Sequence, residues 1–434
     1  MKPSVFFAAA LLCLVPMAAL AEVFVVQGAT LHPMTGTEGP GVLVVDGARI
    51  VAVGLTASVP AGAKVIDATG LHAYPSLIDA NTVLGLVEIS SVRGTVDVSE
   101  VGDVNPNVRA EVALNADSEL LPVTRANGVL IAMTAPRGGL VAGTAAVLRM
   151  DGWNWEDLTV KAPVGMVVNW PEMHINREPD AVPPPDEQIK NRDARLQLLR
   201  DTFANARAYW RARGAEGQSG VPAHDRDPRW DAMGPVLRGE EPVLVNAGGL
   251  VQIRAALQWA AQEGIKVVLL SGSDVARVAP ELAASHIPVI LEPVLALPAR
   301  RWEPYDTPYT TAAALHAAGV AFCFSTSGGA FGAANARNLP YEAATAVAYG
   351  LPHDVALRAL TQTAADILGI GDRLGSLEPN KEATFFLADG DPLDIRTHVV
   401  RAFIAGREVS LDNRQTRLWQ KYRDRPKPVE PAGR

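Results

Sequence analysis

The sequence has little cysteine and no excess of positive charge, and each shortage excludes a class of protein. Only two cysteines occur among 434 residues, Cys13 and Cys323. Lysine and arginine together number 39, against 47 aspartates and glutamates, which gives a net charge of −8. Because nucleic-acid binding requires a basic surface, this balance predicts no nucleic-acid partner. The Gly-rich stretch 136–144 also lacks the Lys-Ser/Thr ending of a phosphate loop, which argues against nucleotide binding.

The first 21 residues have the features of an export signal. Lys2 gives a positive start, a short apolar stretch contains Pro16, and residues 19–21 have the small-x-small form of a cleavage site. An uncleaved anchor is the alternative, which the short apolar span disfavours. We therefore predict an exported chain, periplasmic or secreted, that has no membrane segment once the signal is removed. That chain keeps one thiol, so no internal disulfide can form and its stability must come from its core.

The rhythm of strands and helices changes along the chain. Residues 23–70 alternate short β-rich runs with turns, whereas from about residue 241 apolar strands alternate with helices. Such alternation indicates parallel βαβ units in a sheet that is covered on both faces, and the length favours an α/β barrel. Near residue 376 the β character returns. The two chain ends are therefore predicted to build one small β-sandwich together.

Residues 186–213 carry the best-marked helix, which prolines and Asp186 open and Gly214 ends. Five of its residues follow a 3-4-3-4 spacing that places them on one face. We predict that this face packs on the outside of the barrel, and a partner-binding face is the alternative. The five residues are Leu196, Leu199, Phe203, Ala206 and Trp210.

Four segments together carry a resemblance to a known family. They are "VDGARIVAVG" (45–54), "VIDATGLHAYPSLIDAN" (65–81), "ARNLPYEAATAVAYGLPHDVALRALTQTAADILG" (336–369) and "DRLGSLEPNKEATFFLADGDPLD" (372–394). In this order and at this spacing they resemble the amidohydrolase superfamily, in its imidazolonepropionase-like exported branch. The resemblance implies a distorted TIM-like (β/α)8 barrel over 76–372, with a composite β-sandwich from 22–75 and 373–412. Residues 413–434 are predicted to form a flexible tail.

The resemblance also implies a chemistry, the hydrolysis of C–N bonds in amides or cyclic amides. The family uses zinc or another divalent metal, one or two ions at the C-terminal mouth of the barrel. A bound metal lowers the pKa of its water to about 7, and an aspartate beside it takes the proton. The ligands come from the ends of particular strands, so each position can be compared with this chain.

The matched positions lack the family's metal ligands. The first strand normally ends in Asp-x-His-x-His, where this chain has Asp79, Asn81 and Val83. The fifth and sixth strands would each deliver a histidine and the last strand an aspartate. The residues at those three positions are Asn246, Ser271 and Ser327. The fourth-strand ligand has no clear match, although Glu172 and His174 lie nearby in the sequence.

A catalytic zinc site needs about three protein ligands of the His, Asp, Glu or Cys type. Asparagine and serine are weak neutral donors and valine has no donor, while calcium and magnesium prefer carboxylates. No two of the eight histidines stand at i, i+4 or as His-x-His, so they indicate structural or surface roles. We therefore predict no metal and no other cofactor, a degenerate metal site and no confident catalytic residue. Asp79 is the one retained family position, and with no identified metal or histidine partner its alternative role is to bond backbone amides.

Four residues are candidates for contacting a substrate or ligand. Arg93 and Arg109 follow the first barrel strand and would hold a carboxylate if that stretch caps the mouth. Arg337 and Asn338 stand just past the last strand and have a similar claim. A solvated loop with local ion pairs is the alternative for the two arginines after the first strand.

Three functions follow from these observations. The first is a pseudoenzyme, a barrel that binds a small molecule at its mouth without hydrolysis. The second is an active hydrolase with a non-standard metal or none. The third is a structural partner of a catalytically competent relative, within a homo-oligomer or a hetero-oligomer. Family resemblance favours hydrolysis and the residues disfavour it, so enzyme status stays open.

Overall fold

The computed structural model describes residues 23–218, 220–223 and 225–425. The predicted export signal, His224 and the last part of the predicted tail lie outside these residues. The strands are β1 (Val23–Leu31), β2 (Gly39–Asp46), β3 (Arg49–Gly54), β4 (Lys64–Asp67), β5 (His72–Pro75), β6 (Leu77–Thr82), β7 (Val129–Thr134), β8 (Val141–Arg149), β9 (Thr159–Asn169), β10 (Val243–Asn246), β11 (Val267–Ser271), β12 (Val289–Leu291), β13 (Phe322–Phe324), β14 (Phe385–Ala388), β15 (Val399–Ile404) and β16 (Arg407–Val409).

The helices connect and cover these strands. They are α1 (Leu120–Arg125), α2 (Trp155–Leu158), α3 (Pro185–Ala215), α4 (Pro228–Leu237), α5 (Leu250–Glu263), α6 (Ala279–Ala284), α7 (Thr307–Ala317), α8 (Ala330–Ala334), α9 (Leu339–Ala348), α10 (His353–Ala359), α11 (Gln362–Ile367) and α12 (Arg414–Arg423). Short 3-10 turns lie at Arg93–Thr95, Ala110–Ala113, Ser273–Val278 and Ala336–Asn338. In the part of the chain that the structure describes, no helix combines the length and apolarity needed to span a bilayer.

One sheet joins the two ends of the described chain. Its strands follow the order β16-β15-β14-β5-β1-β2-β3, with β4 beside β1. Phe24 and Phe385 stack against Phe403, with ring centroids 5.2 and 4.6 Å from that of Phe403, and this cluster forms the core of the β domain. The sequence predicted a small β-sandwich built from both chain ends, and the structure confirms a separate β domain to which both ends contribute strands of one sheet. The first part of the predicted tail forms α12, whose residues are all exposed.

The second sheet curls into a nearly closed barrel, so the predicted fold class is confirmed. Its strands follow the order β13-β12-β11-β10-β9-β8-β7-β6, and β13 lies next to β6. The strands β9 to β13 are parallel, as are β6 and β7, but β8 runs antiparallel to both of its neighbours. Only residues 135–140 connect β7 to β8, too few for the helical crossover that a parallel pair requires. This short connection is the distortion of the barrel.

The barrel strands alternate between two apolar clusters. Ile78, Val167, Leu244, Ile290 and Cys323 belong to a cluster that fills the barrel interior. The intervening strand residues belong to a larger cluster that includes Ile253, Trp259 and Leu315 from the surrounding helices. Because strand side chains alternate in direction, this division shows which positions face the lumen.

Helix α3 packs as its spacing predicts. Leu199, Phe203 and Ala206 are buried, and Leu196 and Trp210 are half-buried. The Phe203 ring meets the Trp259 ring edge-on, with centroids 5.0 Å apart. This edge-to-face contact anchors α3 to the outer layer of the barrel.

Replacing Phe203 with alanine tests this packing. We expect a loss of about 3–5 kcal/mol of unfolding free energy, because the change removes a fully buried ring and leaves a cavity. Leu198→Ala on the same helix is the matched control, since Leu198 is exposed and should cost well under 1 kcal/mol. Urea unfolding followed by circular dichroism measures both, and equal losses would contradict the packing described.

Candidate functional site

The carboxyl ends of the parallel strands meet at one edge of the barrel, which we call the mouth. In barrels of this kind the functional residues stand at this edge. At several strand ends a polar residue stands two positions after a lumen-facing apolar residue. Because side chains alternate in direction along a strand, these polar residues also face the lumen. These polar residues are Asn169, Asn246, Glu292, Ser325 and Ser327.

Asp79 joins the first barrel strand to the segment after the last. Its carboxylate accepts hydrogen bonds from the Thr326 hydroxyl and from the Thr326 backbone N–H at 3.1 Å. It also accepts the Asn81 backbone N–H at 3.3 Å. The carboxylate is fully buried, and burial raises the pKa of Asp79 to about 7 even though the Thr326 hydrogen bonds act in the opposite direction. Asp79 therefore links the first barrel strand, β6, to the segment that follows the last barrel strand, β13.

The segment after Thr326 turns back over the mouth. Ser327 has a φ of 75°, a left-handed conformation that is uncommon for a residue with a side chain. A methyl group placed on the next residue, Gly328, would lie 2.7 Å from Arg137 Nη1 and 3.4 Å from both amide atoms of Asn81. Arg137 and Asn81 thus converge on Gly328, and a larger residue there would require the Arg137 side chain to move.

A series of hydrogen bonds between side-chain amides fixes the loop that contains Arg137. Asn246 donates from Nδ2 to Asn169 Oδ1 at 3.4 Å. Asn169 in turn donates to the carbonyl oxygens of Gly138 and Gly139, at 3.4 and 3.1 Å. Both glycines have positive φ, which makes the tight turn from β7 into β8. Two residues at the ends of β9 and β10 therefore fix the turn directly after Arg137.

Glu292 brings a carboxylate to the same edge. It follows β12 and is partly exposed, and a methyl group on neighbouring Gly272 would lie 3.5 Å from its Oε2. Burial raises the pKa of Glu292, and the charge of Arg137 opposes that rise. Glu292 and Arg137 are therefore electrostatic neighbours at the mouth.

Two of the sequence-matched positions face away from the mouth. Val83, at the second histidine position, is 1% exposed and packs in an apolar cluster with Leu114 and Ala333. Ser271 is fully buried and shares the outward face of β11 with Leu269, and its hydroxyl has no hydrogen-bond partner among the described residues. The lumen-facing place at the end of β11 belongs to Gly272.

The other predicted site residues do not gather at the mouth. Arg109 donates to the buried Glu111 at 2.7 Å, and Arg337 donates to Gln415 at the start of α12. Arg93 lies exposed in a 3-10 turn, and Asn338 precedes α9. The structure thus brings none of the four to the convergence of Arg137 and Asn81.

The fourth-strand position is filled by Asn169, paired in register with Asn246, whereas Glu172 and His174 lie beyond the strand and are exposed. Sequence reasoning missed Asn169, Arg137 and Glu292. The sequence does mark Asn169 and Glu292, because each is the first polar residue after an apolar run, in "MVVN" and "VILE". Arg137 gave no such signal beyond its place before two glycines.

Sequence reasoning also missed a histidine pair far from the mouth. His32 Nε2 lies 2.9 Å from His72 Nδ1, and Glu38 lies 3.3 Å from the other ring nitrogen of His32. The His32 ring stacks on Tyr74 with centroids 4.2 Å apart. Burial lowers the pKa of His32, which favours the neutral ring that this packing requires.

The donor set at the mouth does not fit a divalent metal. It offers one partly exposed carboxylate, that of Glu292, since the Asp79 carboxylate is buried and bonded to Thr326. The other groups are the Arg137 guanidinium and the amides of Asn169 and Asn246, which already bond to each other and to the β7–β8 turn. A fixed positive charge at Arg137 would repel a cation. Across residues 23–425, leaving out 219 and 224, no three His, Cys, Asp or Glu side chains stand close enough to share a metal ion.

Comparison with known proteins identifies relatives. Residues 306–412 match the family described as the amidohydrolase family. The crystal structure of an amidohydrolase from Thermotoga maritima MSB8 superimposes with a TM-score of 0.80 and is 26% identical, covering 89% of this chain and 99% of that one. A solved adenosine deaminase from Xanthomonas campestris with bound zinc has a TM-score of 0.50 and 16% identity over 92% of this chain and 97% of that one, and shares the fold alone.

A curated relative is similar in sequence. The amidohydrolase TasK of Hapsidospora irregularis is 22% identical over 369 residues, which cover 80% of this chain. The match spans only 37% of that relative's length. Together these matches confirm the resemblance to the amidohydrolase superfamily.

Val83→His tests whether the second histidine position is now part of the core. Burying an imidazole among Leu114, Ala333 and their neighbours should cost roughly 2–4 kcal/mol of stability, because its nitrogens would lack partners. Val112→His is the control, since Val112 is exposed and its replacement should cost little. Thermal unfolding with and without added zinc measures the effect. A zinc-dependent rescue of Val83→His would contradict this position's orientation.

Asp79 should make stability depend on pH. Its folded pKa of about 7 exceeds the usual value near 4, so the stability it contributes is present below about pH 4 and is lost as the pH rises through 7. The Asp79→Asn variant has no carboxyl group at this position to titrate in that pH range. Relative to this variant, the wild type should lose roughly 2–3 kcal/mol between pH 5 and pH 8.5. Denaturant midpoints at both pH values test this, and parallel shifts in the two proteins would refute it.

Proposed function

We propose that this chain, an amidohydrolase-superfamily protein by its fold and by the match at residues 306–412, is a binding barrel that takes up a small molecule without metal-dependent hydrolysis. The observation that carries the proposal is the reuse of the ligand positions. Asn246 and Asn169 hold the turn after Arg137, Val83 packs in the core, and Asp79 bonds to Thr326. Each of these residues has a structural task that a metal would disturb.

The mouth is equipped to bind and orient a molecule. Arg137 is exposed and offers a planar set of N–H donors, while Glu292 offers a carboxylate and Asn81 a carboxamide. A divalent metal would supply a Lewis acid and a water ionised near neutral pH. None of the residues at this edge provides either property. The Arg137 guanidinium has N–H donors and no acceptor, so it can position an anion.

Hydrolysis without a metal is the second candidate, and one observation favours it. Glu292 is a partly buried carboxylate whose pKa is raised by burial, which is the state that suits a general base. Beside it, the Arg137 guanidinium could stabilise the negative charge that develops on a carbonyl oxygen. In that case Glu292 would accept a proton from an attacking water.

The cellular location and the assembly of this protein are also proposals. The N-terminal pattern supports export to the periplasm or the medium. The relatives' names support an origin among hydrolases, and since the chain spans 37% of the curated relative, that protein's activity need not extend to this chain. Assembly as a homo-oligomer or with a catalytically competent relative is the third candidate. Because the apolar face of α3 already packs on the barrel, such a partner would have to use another surface.

Metal content and hydrolysis measured on the same preparation test the proposed function. Residues 22–434 would be purified, incubated with excess zinc, dialysed and analysed by plasma mass spectrometry. We expect far less than one zinc per chain and no turnover of amides, cyclic amides or dipeptides above buffer. The zinc-bound Xanthomonas campestris deaminase serves as the control for metal retention.

The other outcomes separate the candidates. Stoichiometric zinc together with hydrolysis that a chelator abolishes would contradict the proposed function. Zinc-free hydrolysis that is lost in Glu292→Gln would establish the metal-independent enzyme instead.

A further inference from the structure

Helix α12 exposes three large apolar side chains to solvent. Trp419 and Tyr422 are 60% and 63% exposed, and Leu418 is 40% exposed. In the described part of the chain, the side chains of residues 418–423 form hydrogen bonds, ion pairs and ring contacts only among themselves and with Asp424. Single apolar residues on a surface are ordinary, but three grouped on one short helix mark an interaction surface. We call Leu418, Trp419 and Tyr422 the apolar face of α12.

The start of α12 is fixed to the body of the protein. The buried side chain of Asn413 caps the helix by accepting the backbone N–H groups of Gln415 and Thr416 at 2.9 and 3.2 Å. Arg417 pairs at 3.3 Å with Glu119, which directly precedes α1. An isolated helix of ten residues is marginal in water, so the cap and the ion pair keep α12 formed before any partner arrives.

Cations flank the apolar face on both sides. At 3.6 residues per turn, the apolar face spans about 100° around the helix axis. Arg414 and Lys421 fall along one edge of it, and Arg423 falls along the other. Residues 414–425 contain five arginines and lysines against one acidic residue, although the whole chain has a net charge of −8. The positive charge of this segment is therefore local, and it surrounds the apolar face.

This combination fits an anionic lipid surface. Amphipathic helices that lie in the plane of a bilayer place Trp, Tyr and Leu at the boundary of the acyl chains and keep Lys and Arg beside the headgroups. Arg414, Lys421 and Arg425 are exposed and form no ion pair within the described residues, so their charges can meet lipid phosphates. A helix of ten residues is about 15 Å long, roughly half the thickness of the hydrocarbon layer, so α12 can lie on a bilayer but cannot cross it.

We propose that α12 attaches the protein to an anionic bilayer surface, with its apolar face among the headgroups and its flanking cations on the lipid phosphates. A contact between two copies of the chain fits less well, because pairing α12 with itself would bring like charges together. The attachment uses a surface outside the barrel mouth and is independent of the proposed function.

Co-sedimentation with vesicles tests the attachment. Residues 22–434 would be mixed with vesicles of phosphatidylcholine alone or of equal parts phosphatidylcholine and phosphatidylglycerol, and the bound protein would be measured after centrifugation. We expect partition into the mixed vesicles to exceed that into phosphatidylcholine by about 10-fold or more, because the cations add attraction only where the lipid is anionic. Raised salt should release the protein, since salt screens that attraction.

Removing the aromatic rings tests the apolar face. The double variant Trp419→Ala, Tyr422→Ala should partition roughly 10-fold more weakly into the mixed vesicles, because it loses the area that enters the interface. Trp153→Ala is the matched control, since Trp153 is 88% exposed outside α12 and its replacement should leave partition unchanged. Thermal unfolding checks that each variant is folded.

Removing charge tests the flanking cations. Each cation near an anionic surface contributes about five-fold in partition, so neutralising three should weaken partition by roughly 100-fold. The variant combines Arg414→Gln, Lys421→Gln and Arg425→Gln. Its control has the same net charge and combines three exposed positions of α3, Lys190→Gln, Arg200→Gln and Arg211→Gln. The control should stay close to the wild type.

Three results would overturn the inference. One is equal partition of the wild type into both kinds of vesicle. Another is an α12 charge variant that binds as the α3 control does. The third is a dimer, seen by sedimentation velocity without lipid, that the double aromatic variant dissociates while the wild type leaves the vesicles unbound. That result would assign the apolar face to a contact between copies.

None of these results changes the metal and hydrolysis measurements. A failure of the membrane attachment is therefore distinct from a failure of the proposed function.

Discussion

The geometry of the mouth depends on the buried carboxylate of Asp79. The barrel is a sheet whose first and last strands must meet, and Asp79 bridges them by accepting the Thr326 hydroxyl and backbone N–H. That fixed point sets where the chain turns at Ser327, and the turn brings Gly328 against Asn81 and Arg137. A buried carboxylate is costly, and a pKa near 7 records that cost. The hydrogen bonds to Thr326 therefore give Asp79 a structural role of its own.

At the rest of the edge, neutral amides form a connected series of hydrogen bonds. Metal ligands converge on a point, whereas carboxamides both donate and accept and so form chains. The chain from Asn246 through Asn169 ends on the carbonyls of Gly138 and Gly139, and it converts two strand ends into a support for a loop. Each neutral hydrogen bond contributes only about 1 kcal/mol, so the rigidity of the turn comes from several bonds acting together. Exposed Arg137 thereby gains a defined position.

The sequence predicted what depends on periodicity and on family motifs. The α/β class, the β domain from both ends and the buried face of α3 all follow from patterns that repeat along the chain. Antiparallel β8 was not predicted, because it follows from the short 135–140 connection rather than from the strand's own residues. The convergence of Arg137, Asn81 and Glu292 joins loops that are far apart in sequence, and no local pattern encodes it. Likewise, only the structure shows that Val83 turns into the core and that Gly272 faces the lumen where Ser271 was expected.

A guanidinium and a divalent metal would give a barrel of this kind different chemistry. Both present positive charge to an anion or a carbonyl oxygen at the same edge. A metal also binds water directly and lowers the pKa of that water, whereas a guanidinium has no empty orbital with which to bind water. Attraction for a carboxylate is therefore kept while activation of water is lost. Binding without hydrolysis is therefore the chemistry that the proposed function assigns to this barrel, and Glu292 acting as a general base is the alternative.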